Sequence, residues 1–467
     1  MLTPTRIPLS KLPARFVWGL LLCGTAMLPI QAQAPDAGTP SQADQIKALE
    51  QKVDQLDQEI KVADRKAELK AEEDAAKEKT GAHVTVDDNG FVIRSNDGDD
   101  FLKIGGDLQI DNRAFYGPAL TTLPDTILLR RARPTLSGTI FKYVDFFFRP
   151  DFGQGSVVIY DAYVQLNYFS RFQLRAGKFK PGVGLERLQS DDDTTFVERG
   201  LPTLLVPSRD IGFQLGGDII KRRLNYSVGV YNGVADNGLS DAAVSDHRDY
   251  AARVFLTPFQ PNDNNILRGL GVGIGASSGS MDGIALPSYK SFGQNAFITF
   301  ASGVTSDGHR DRLAPQAYYY LGGFGLLSEY GFDDEGFQKG TTRHDIGIRS
   351  WQVQASYVLT GERKGFTGVA PRKRFDPKNH GWGAVELAAR VGDFSTDTGL
   401  YNYGFATEAT SARRAHEWVG GVSWYLNRMT KLAEDYGYTT FEGGAPGNGN
   451  RPAEKALITR LQFNFLQ

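Results

Sequence analysis

The side chains best suited to chemistry in this sequence are arginines in the segment 127–141, ILLRRARPTLSGTIF. Read with the two-residue period of a β-strand, Arg131 and Arg133 fall on one face, together with three hydroxyl-bearing residues, and the other face is apolar. Guanidinium groups keep their charge and donate paired hydrogen bonds to phosphate and carboxylate oxygens. The spacing therefore predicts a cationic patch that binds anions.

Other arginines occupy similar positions on polar strand faces. The predicted set is Arg131, Arg133, Arg175 and Arg253 by strand parity, with Arg113, Arg149 and Arg171 nearer the strand ends. For each arginine, the alternative is a structural ion pair with an acid such as Asp145, Asp151 or Asp161. Arg130 has the opposite parity, so either it faces outward or its strand contains a bulge.

These arginines need a sheet to position them, and short alternating segments recur from residue 81 to the end. Clear examples are 171–177 and 457–465, and turn-forming stretches such as 443–450 separate the segments. A soluble sheet turns its apolar face to a core, whereas a membrane barrel turns it to lipid. The length without an internal boundary and the aromatic residues near strand ends favour the barrel. We predict an all-β fold, a transmembrane antiparallel β-barrel over residues 81–467.

The N-terminus predicts export from the cytoplasm. Three basic residues precede the apolar run Phe16–Ile30, which is short for a membrane span and typical of a signal peptide. Cleavage is expected after Ala34 or after Ala32, which makes residues 1–34 the signal peptide; the alternative is a short membrane anchor. The single cysteine, Cys23, lies within this run, so the mature chain has no disulfide or thiol chemistry.

Residues 35–80 combine a short linker with a predicted helix. The segment Gln42–Lys79 has no glycine, proline or aromatic residue. Its apolar residues recur at spacings of three and four, as Ile46, Leu49, Val53, Leu56 and Ile60. This heptad predicts a coiled-coil helix on the periplasmic side of the barrel, and isoleucine or valine at a with leucine at d favours two strands. The alternative is an isolated surface helix.

The run 128–153, LLRRARPTLSGTIFKYVDFFFRPDFG, resembles the opening strands of the phosphate-selective porin O and P family. Similar segments follow at 160–186, 194–200, 419–432 and 456–465. The resemblance implies a trimeric barrel of about 16 strands in the outer membrane of a Gram-negative bacterium. It also implies a third long loop that folds inward, and basic lumen side chains that carry anions, phosphate or polyphosphate in the best known members.

By this resemblance, the constricting loop begins within residues 178–199. The basic residues of this segment are Lys178, Lys180, Arg187 and Arg199. The segment also holds Glu186, Glu198 and three consecutive aspartates, and the whole chain has a formal net charge of −2 and a pI near 6.3. The field in a pore depends on its lining more than on the total charge. Anion selectivity is therefore the expectation, and a general, weakly selective porin is the alternative.

The sequence gives little support to an enzyme. None of the six histidines lies in a nucleophile–base or metal-binding motif, so no catalytic residue, metal or cofactor is expected. The expected partners are small permeant anions, outer-membrane lipid and two further copies of the chain, with no nucleic acid. One departure from the family is the end of the chain, where Phe465 is followed by Leu466 and Gln467 in place of a final aromatic residue.

Overall fold

The computed structural model describes residues 41–465 apart from 88–89, 118–123, 221–222, 237–240, 242, 244 and 260–264. The predicted signal peptide and its cleavage positions lie outside the described residues, as do Leu466 and Gln467. The chain divides into two units between Ala76 and Lys77.

The helix α1 spans Gln42–Thr80, as the sequence predicts. The hydroxyl of Ser41 accepts a hydrogen bond from the backbone N–H of Asp44 at 3.3 Å and caps the first turn. The apolar heptad residues are more than half exposed along the helix. Their pairing with another helix stays a prediction. Among the described helices, none combines the length and the apolar composition needed to cross a membrane.

The second unit is a closed antiparallel barrel of sixteen strands. The strands are β1 Phe101–Tyr116, β2 Thr126–Ile140, β3 Val144–Asp151, β4 Val158–Phe169, β5 Phe172–Phe179, β6 Asp210–Ile219, β7 Leu224–Tyr231, β8 Asp249–Leu256, β9 Leu270–Ile284, β10 Val304–Leu321, β11 Phe324–Lys339, β12 Thr342–Val358, β13 Ala384–Thr396, β14 Ala412–Tyr425, β15 Thr430–Ala445 and β16 Glu454–Phe465. Pairing of β16 with β1 closes the sheet. The predicted fold class is confirmed.

Smaller elements accompany the barrel. A hairpin of His83–Asp87 and Gly90–Arg94 pairs with the start of β1. Two short helices, α2 at Leu185–Leu188 and α3 at Gly399–Asn402, lie in connections between strands. We call the barrel end that holds Phe101 and Phe465 the terminal end, and the opposite end the loop end.

The strands place polar side chains inside the barrel and apolar side chains outside. In β16, Arg460 and Gln462 are at most 2% exposed, whereas Leu461 and Phe463 are 46% and 42% exposed. A soluble sheet would bury the apolar face instead. An apolar outer face around a polar interior is the pattern of a membrane barrel.

A β-bulge explains the parity of Arg130. Gln109 of β1 pairs with Arg131, but the next residue, Ile110, pairs with Leu129, so Arg130 is the extra residue. The side chains of Arg130 and Arg131 then both reach the interior, where Arg130 contacts Glu198. Of the two alternatives drawn from the sequence, the structure has the bulge.

Connecting segments from both ends fold into the interior. At the loop end, residues 285–303, the aromatic loop, bury Tyr289 and Phe297 against Phe394, with ring centroids 5.0 and 5.1 Å away. At the terminal end, the connection 359–383, the inner turn, buries an ion pair between Lys364 and Glu386 at 2.8 Å. The family resemblance predicts an inward fold only for the third long loop, so the aromatic loop and the inner turn are additional inward segments.

Candidate functional site

The third long connection, residues 180–209, crosses the barrel interior, and we call it the inner loop. Wall carboxylates hold it in place. Glu329 accepts hydrogen bonds from the backbone N–H groups of Leu185 and Glu186 at 2.7 and 3.2 Å, at the start of α2. Asp435 accepts another from Val197 at 2.6 Å. These acids are engaged in fixing the loop, because buried backbone N–H groups require partners.

Asp191 of the inner loop lies at the centre of one arginine cluster. Arg133 and Arg199 each contact one of its carboxylate oxygens, and Arg131 lies 3.6 Å away. Burial acts to raise the pKa of Asp191, but the three arginines outweigh it and hold that pKa well below its usual range. Arg133 also binds Asp151 at 2.7 Å. The two arginines that define the predicted cationic patch are therefore both in ion pairs.

Glu198 of the inner loop organises a second arginine cluster. Its carboxylate binds Arg113 at 2.8 Å, Arg130 at 2.9 Å and Arg460 at 3.4 Å. Arg460 also forms a two-pronged pair with Asp111, at 2.6 and 2.9 Å. The cluster is buried apart from Arg130, whose side chain is 15% exposed. Its three arginines fix the inner loop to β1, β2 and β16, and each of them is paired with Glu198, Asp111 or both.

Arg149, Arg175 and Arg253 differ from both clusters, and we call them the neutral-partner arginines. Each donates a hydrogen bond to a neutral side-chain oxygen: Thr135 at 2.9 Å, Gln165 at 2.7 Å and Gln316 at 2.9 Å, respectively. Each also lies over an aromatic ring, with guanidinium–centroid distances of 4.4–4.9 Å. None of the three forms an ion pair with a carboxylate among the residues that the structure describes.

The remaining predicted residues have varied positions. Arg171 is exposed in the turn between β4 and β5, away from both clusters. Lys178 lies on β5 and pairs with Asp241. In the inner loop, Lys180 donates to the carbonyl of Gln189 at 2.8 Å. Burial, helped by neighbouring arginines, lowers the pKa of Lys180 well below its usual range.

Arg187 of the inner loop has a carbonyl as its partner. Its guanidinium donates to the carbonyl oxygen of Thr203 at 2.5 Å. Burial, with a smaller contribution from the nearby Arg199, lowers the pKa of Arg187 to about 10. The side chain therefore keeps its positive charge at neutral pH.

Several interior residues were not predicted from the sequence. Tyr160 is sandwiched between Arg133 and Arg209, whose guanidinium carbons lie 3.7 and 3.4 Å from its ring centroid. Arg312 pairs with Asp236, and Arg390 with Glu417 at 3.0 Å. Strand parity, the signal used for Arg175, also applies to Arg312, Arg390 and Arg460.

The inner loop separates two cavities, and no residue that the structure describes lines both of them. The loop-end cavity measures 520 Å³ and is rich in basic side chains, which are Arg130, Arg131, Lys178, Arg187, Arg199, Arg209 and Lys290. The terminal-end cavity measures 420 Å³ and is lined by Asp192, Asp193 and Lys431, among others. Arg130, Arg131 and Arg199, from the two arginine clusters, line the loop-end cavity.

A sequence model of the phosphate-selective porin O and P family matches residues 102–465. The chain belongs to this family. Porin O of Pseudomonas aeruginosa is 24% identical over 430 residues, which cover 82% of this chain and 93% of that protein. The predicted resemblance is thereby confirmed. The chain is an outer-membrane porin of a Gram-negative bacterium, and it is not an enzyme.

Solved structures share the fold of this porin at low sequence identity. The outer membrane channel DcaP of Acinetobacter baumannii has a TM-score of 0.53 and 10% identity, over 80% of this chain and 99% of that one. An anion-selective porin from Comamonas acidovorans has a TM-score of 0.50 and 13% identity, over 78% and 100% of the two chains. These likenesses establish the barrel fold.

Proposed function

We propose that this porin provides passive, anion-selective diffusion, with phosphate-like oxyanions among its permeants. The observation that carries the proposal is the set of neutral-partner arginines on the inner wall. A guanidinium remains charged at any pH the cell meets, and a hydrogen bond to an amide or a hydroxyl does not neutralise that charge as an ion pair with a carboxylate would. The wall therefore attracts anions and repels cations.

The spacing of these arginines suits conduction. Arg149, Arg175 and Arg253 lie on three different strands, β3, β5 and β8. Each has donors left over after the bond to its neutral partner, because a guanidinium carries five N–H groups. An anion that loses water in a narrow pore can exchange it for these donors in sequence, and binding at several weak sites permits release.

The narrow part of the proposed pathway lies among the basic residues of the inner loop and of strands β1 and β2. Arg113, Arg131, Arg133 and Arg199 form ion pairs with acids there, so they add less net charge than the sequence predicts. This pairing is the observation that favours the second candidate function, a general and weakly selective porin.

Proteoliposomes test the proposal. Vesicles that contain the purified porin should admit radiolabelled phosphate down its gradient, with no energy source, and should admit it faster than radiolabelled sodium. The expected difference in initial rates is about tenfold, the factor that 1.4 kcal/mol of preference produces. Equal rates for the two ions would favour the weakly selective porin.

We further propose that the porin is a homotrimer, as the family resemblance implies, and that the barrels and not α1 hold it together. Deletion of residues 42–79 should leave trimers intact in mild detergent. The reason is contact area, because three heptads bury little surface compared with the apolar flank of a sixteen-stranded barrel. Crosslinking and light scattering measure the outcome. If the deletion yields only monomers, the coiled coil is the device that assembles the trimer.

A further inference from the structure

The carboxylate of Asp191 occupies a position that a free anion could fill. Each of its two oxygens is contacted by a different guanidinium group: one by Arg133 on the wall strand β2, and the other by Arg199 on the inner loop. Arg131 completes the cluster from the wall, at 3.6 Å. The Asp191 side chain is 2% exposed. Three guanidinium groups around one carboxylate form an oxyanion-binding site. In this structure the site is filled by the side chain of Asp191, which is part of the chain itself.

This arginine cluster is open to the permeation path. Arg131 and Arg199 line the loop-end cavity, so an anion that enters from the loop end reaches the guanidiniums. The neighbours of Asp191 in the chain, Asp192 and Asp193, line the terminal-end cavity instead. Asp191 thus lies at the partition between the two cavities.

We propose that Asp191 is a tethered competitor of the permeant: its carboxylate fills an oxyanion site built by Arg131, Arg133 and Arg199, and a passing oxyanion displaces it. The proposal rests on the proposed function, because it concerns the same anions in the same lumen. A rotation of the Asp191 side chain frees the cluster while the backbone stays anchored, since Gln462 holds the carbonyl of Asp192 at 3.0 Å.

A tethered ligand competes at a high effective concentration. Groups on a short tether meet their site at about millimolar concentration or higher. A free oxyanion therefore binds weakly to the natural porin and leaves quickly, which keeps the path conducting. The pKa of Asp191 lies far below neutral, so the competitor is charged under all ordinary conditions.

The test uses the full mature chain in planar bilayers, with chloride as the current carrier and inorganic phosphate as the blocker. Asp191→Asn keeps the shape of the side chain and removes its charge. The concentration of phosphate that halves the chloride current should fall about tenfold or more in this variant, because the tethered competitor is gone. An unchanged half-blocking concentration would overturn the proposal.

Asp151→Asn is the matched control. This substitution removes a different carboxylate that also pairs with Arg133, and it leaves Asp191 in place. Its half-blocking concentration should stay within about twofold of the natural porin, since the three-arginine site remains filled. An equal fall in both variants would mean that the effect is a general loss of negative charge, and would also overturn the proposal.

Assembly is checked by heat-modifiable migration. If Asp191→Asn does not form barrels, Asp191→Ser provides the same test with a smaller neutral side chain. Added phosphate should also raise the melting temperature of either variant more than that of the natural porin, because a ligand stabilises the state that binds it. If neither variant forms barrels with or without phosphate, Asp191 is a structural partner and the proposal fails.

Different measurements would contradict the proposed function and the tethered-competitor proposal. Anion selectivity is measured on the natural porin alone, as a permeability ratio. An anion-selective natural porin whose Asp191→Asn variant shows no change in phosphate block would contradict only the tethered competitor. A cation-selective natural porin would contradict the function itself.

Discussion

Replacing both Arg175 and Arg253 with glutamine should lower the anion-over-cation permeability ratio about tenfold while the pore stays open. One unit charge about 4 Å from an ion is worth about 1 kcal/mol even at the dielectric constant of water, and here two such charges are removed. Glutamine retains polarity and much of the length of the side chain. The ratio follows from the zero-current potential of the variant in a potassium chloride gradient.

The control for this prediction removes two arginines from the outer face of β12. Arg343 and Arg349 are exposed there, and Arg349 lies beside the outward ring of Phe332. The double variant Arg343→Gln and Arg349→Gln removes two positive charges, as the interior variant does, but it removes them outside the lumen. The permeability ratio should therefore be unchanged. A drop equal to that of the interior variant would show that the neutral-partner arginines have no special role.

The second large effect concerns stability. Arg460→Gln should lower the unfolding free energy of the barrel by about 3–5 kcal/mol, because it breaks the buried two-pronged ion pair with Asp111 and removes one of the three arginines that bind Glu198. Arg460 is 1% exposed and binds both Asp111 and Glu198. The measurement is the fraction of folded barrel on unheated gels across a urea series.

A double variant separates the ion pair from other effects of the substitution. Arg460→Gln combined with Asp111→Asn removes both charges of the closest pair, so it should recover part of the stability lost in the single variant. Arg175→Gln, which breaks no ion pair, should cost less than about 1.5 kcal/mol, the typical net value of one hydrogen bond. No loss of stability in Arg460→Gln would mean that Arg113 and Arg130 satisfy both acids without Arg460.

The barrel was predictable because its pattern is local. Alternation of polar and apolar residues within each strand identifies an inner and an outer face, and in β16 it correctly separates Arg460 and Gln462 from Leu461 and Phe463. The helix α1 was predictable for the same reason, since a heptad without glycine or proline is a local signal. The sequence does not distinguish a bulge at Arg130 from an outward-facing side chain, because one extra residue changes the strand parity without changing the composition.

The partners of the arginines were not predictable, because they come from distant parts of the chain. Arg133 meets Asp191 and Arg130 meets Glu198 only once the inner loop has folded into the barrel. Parity identifies the face of a side chain but not what will lie against it. The inward fold of the aromatic loop did leave a signal, since Tyr289, Phe292 and Phe297 are more apolar than an exposed connection requires.

The zero-current potential of the natural porin tests the central claim most directly. Purified porin is inserted into a planar bilayer with a tenfold gradient of potassium chloride and no phosphate. We expect the sign of the potential to report chloride as the more permeant ion, with a magnitude that approaches about 59 mV as selectivity becomes complete. A potential of the opposite sign would show that potassium crosses more easily, and it would contradict the anion pathway assigned to the neutral-partner arginines.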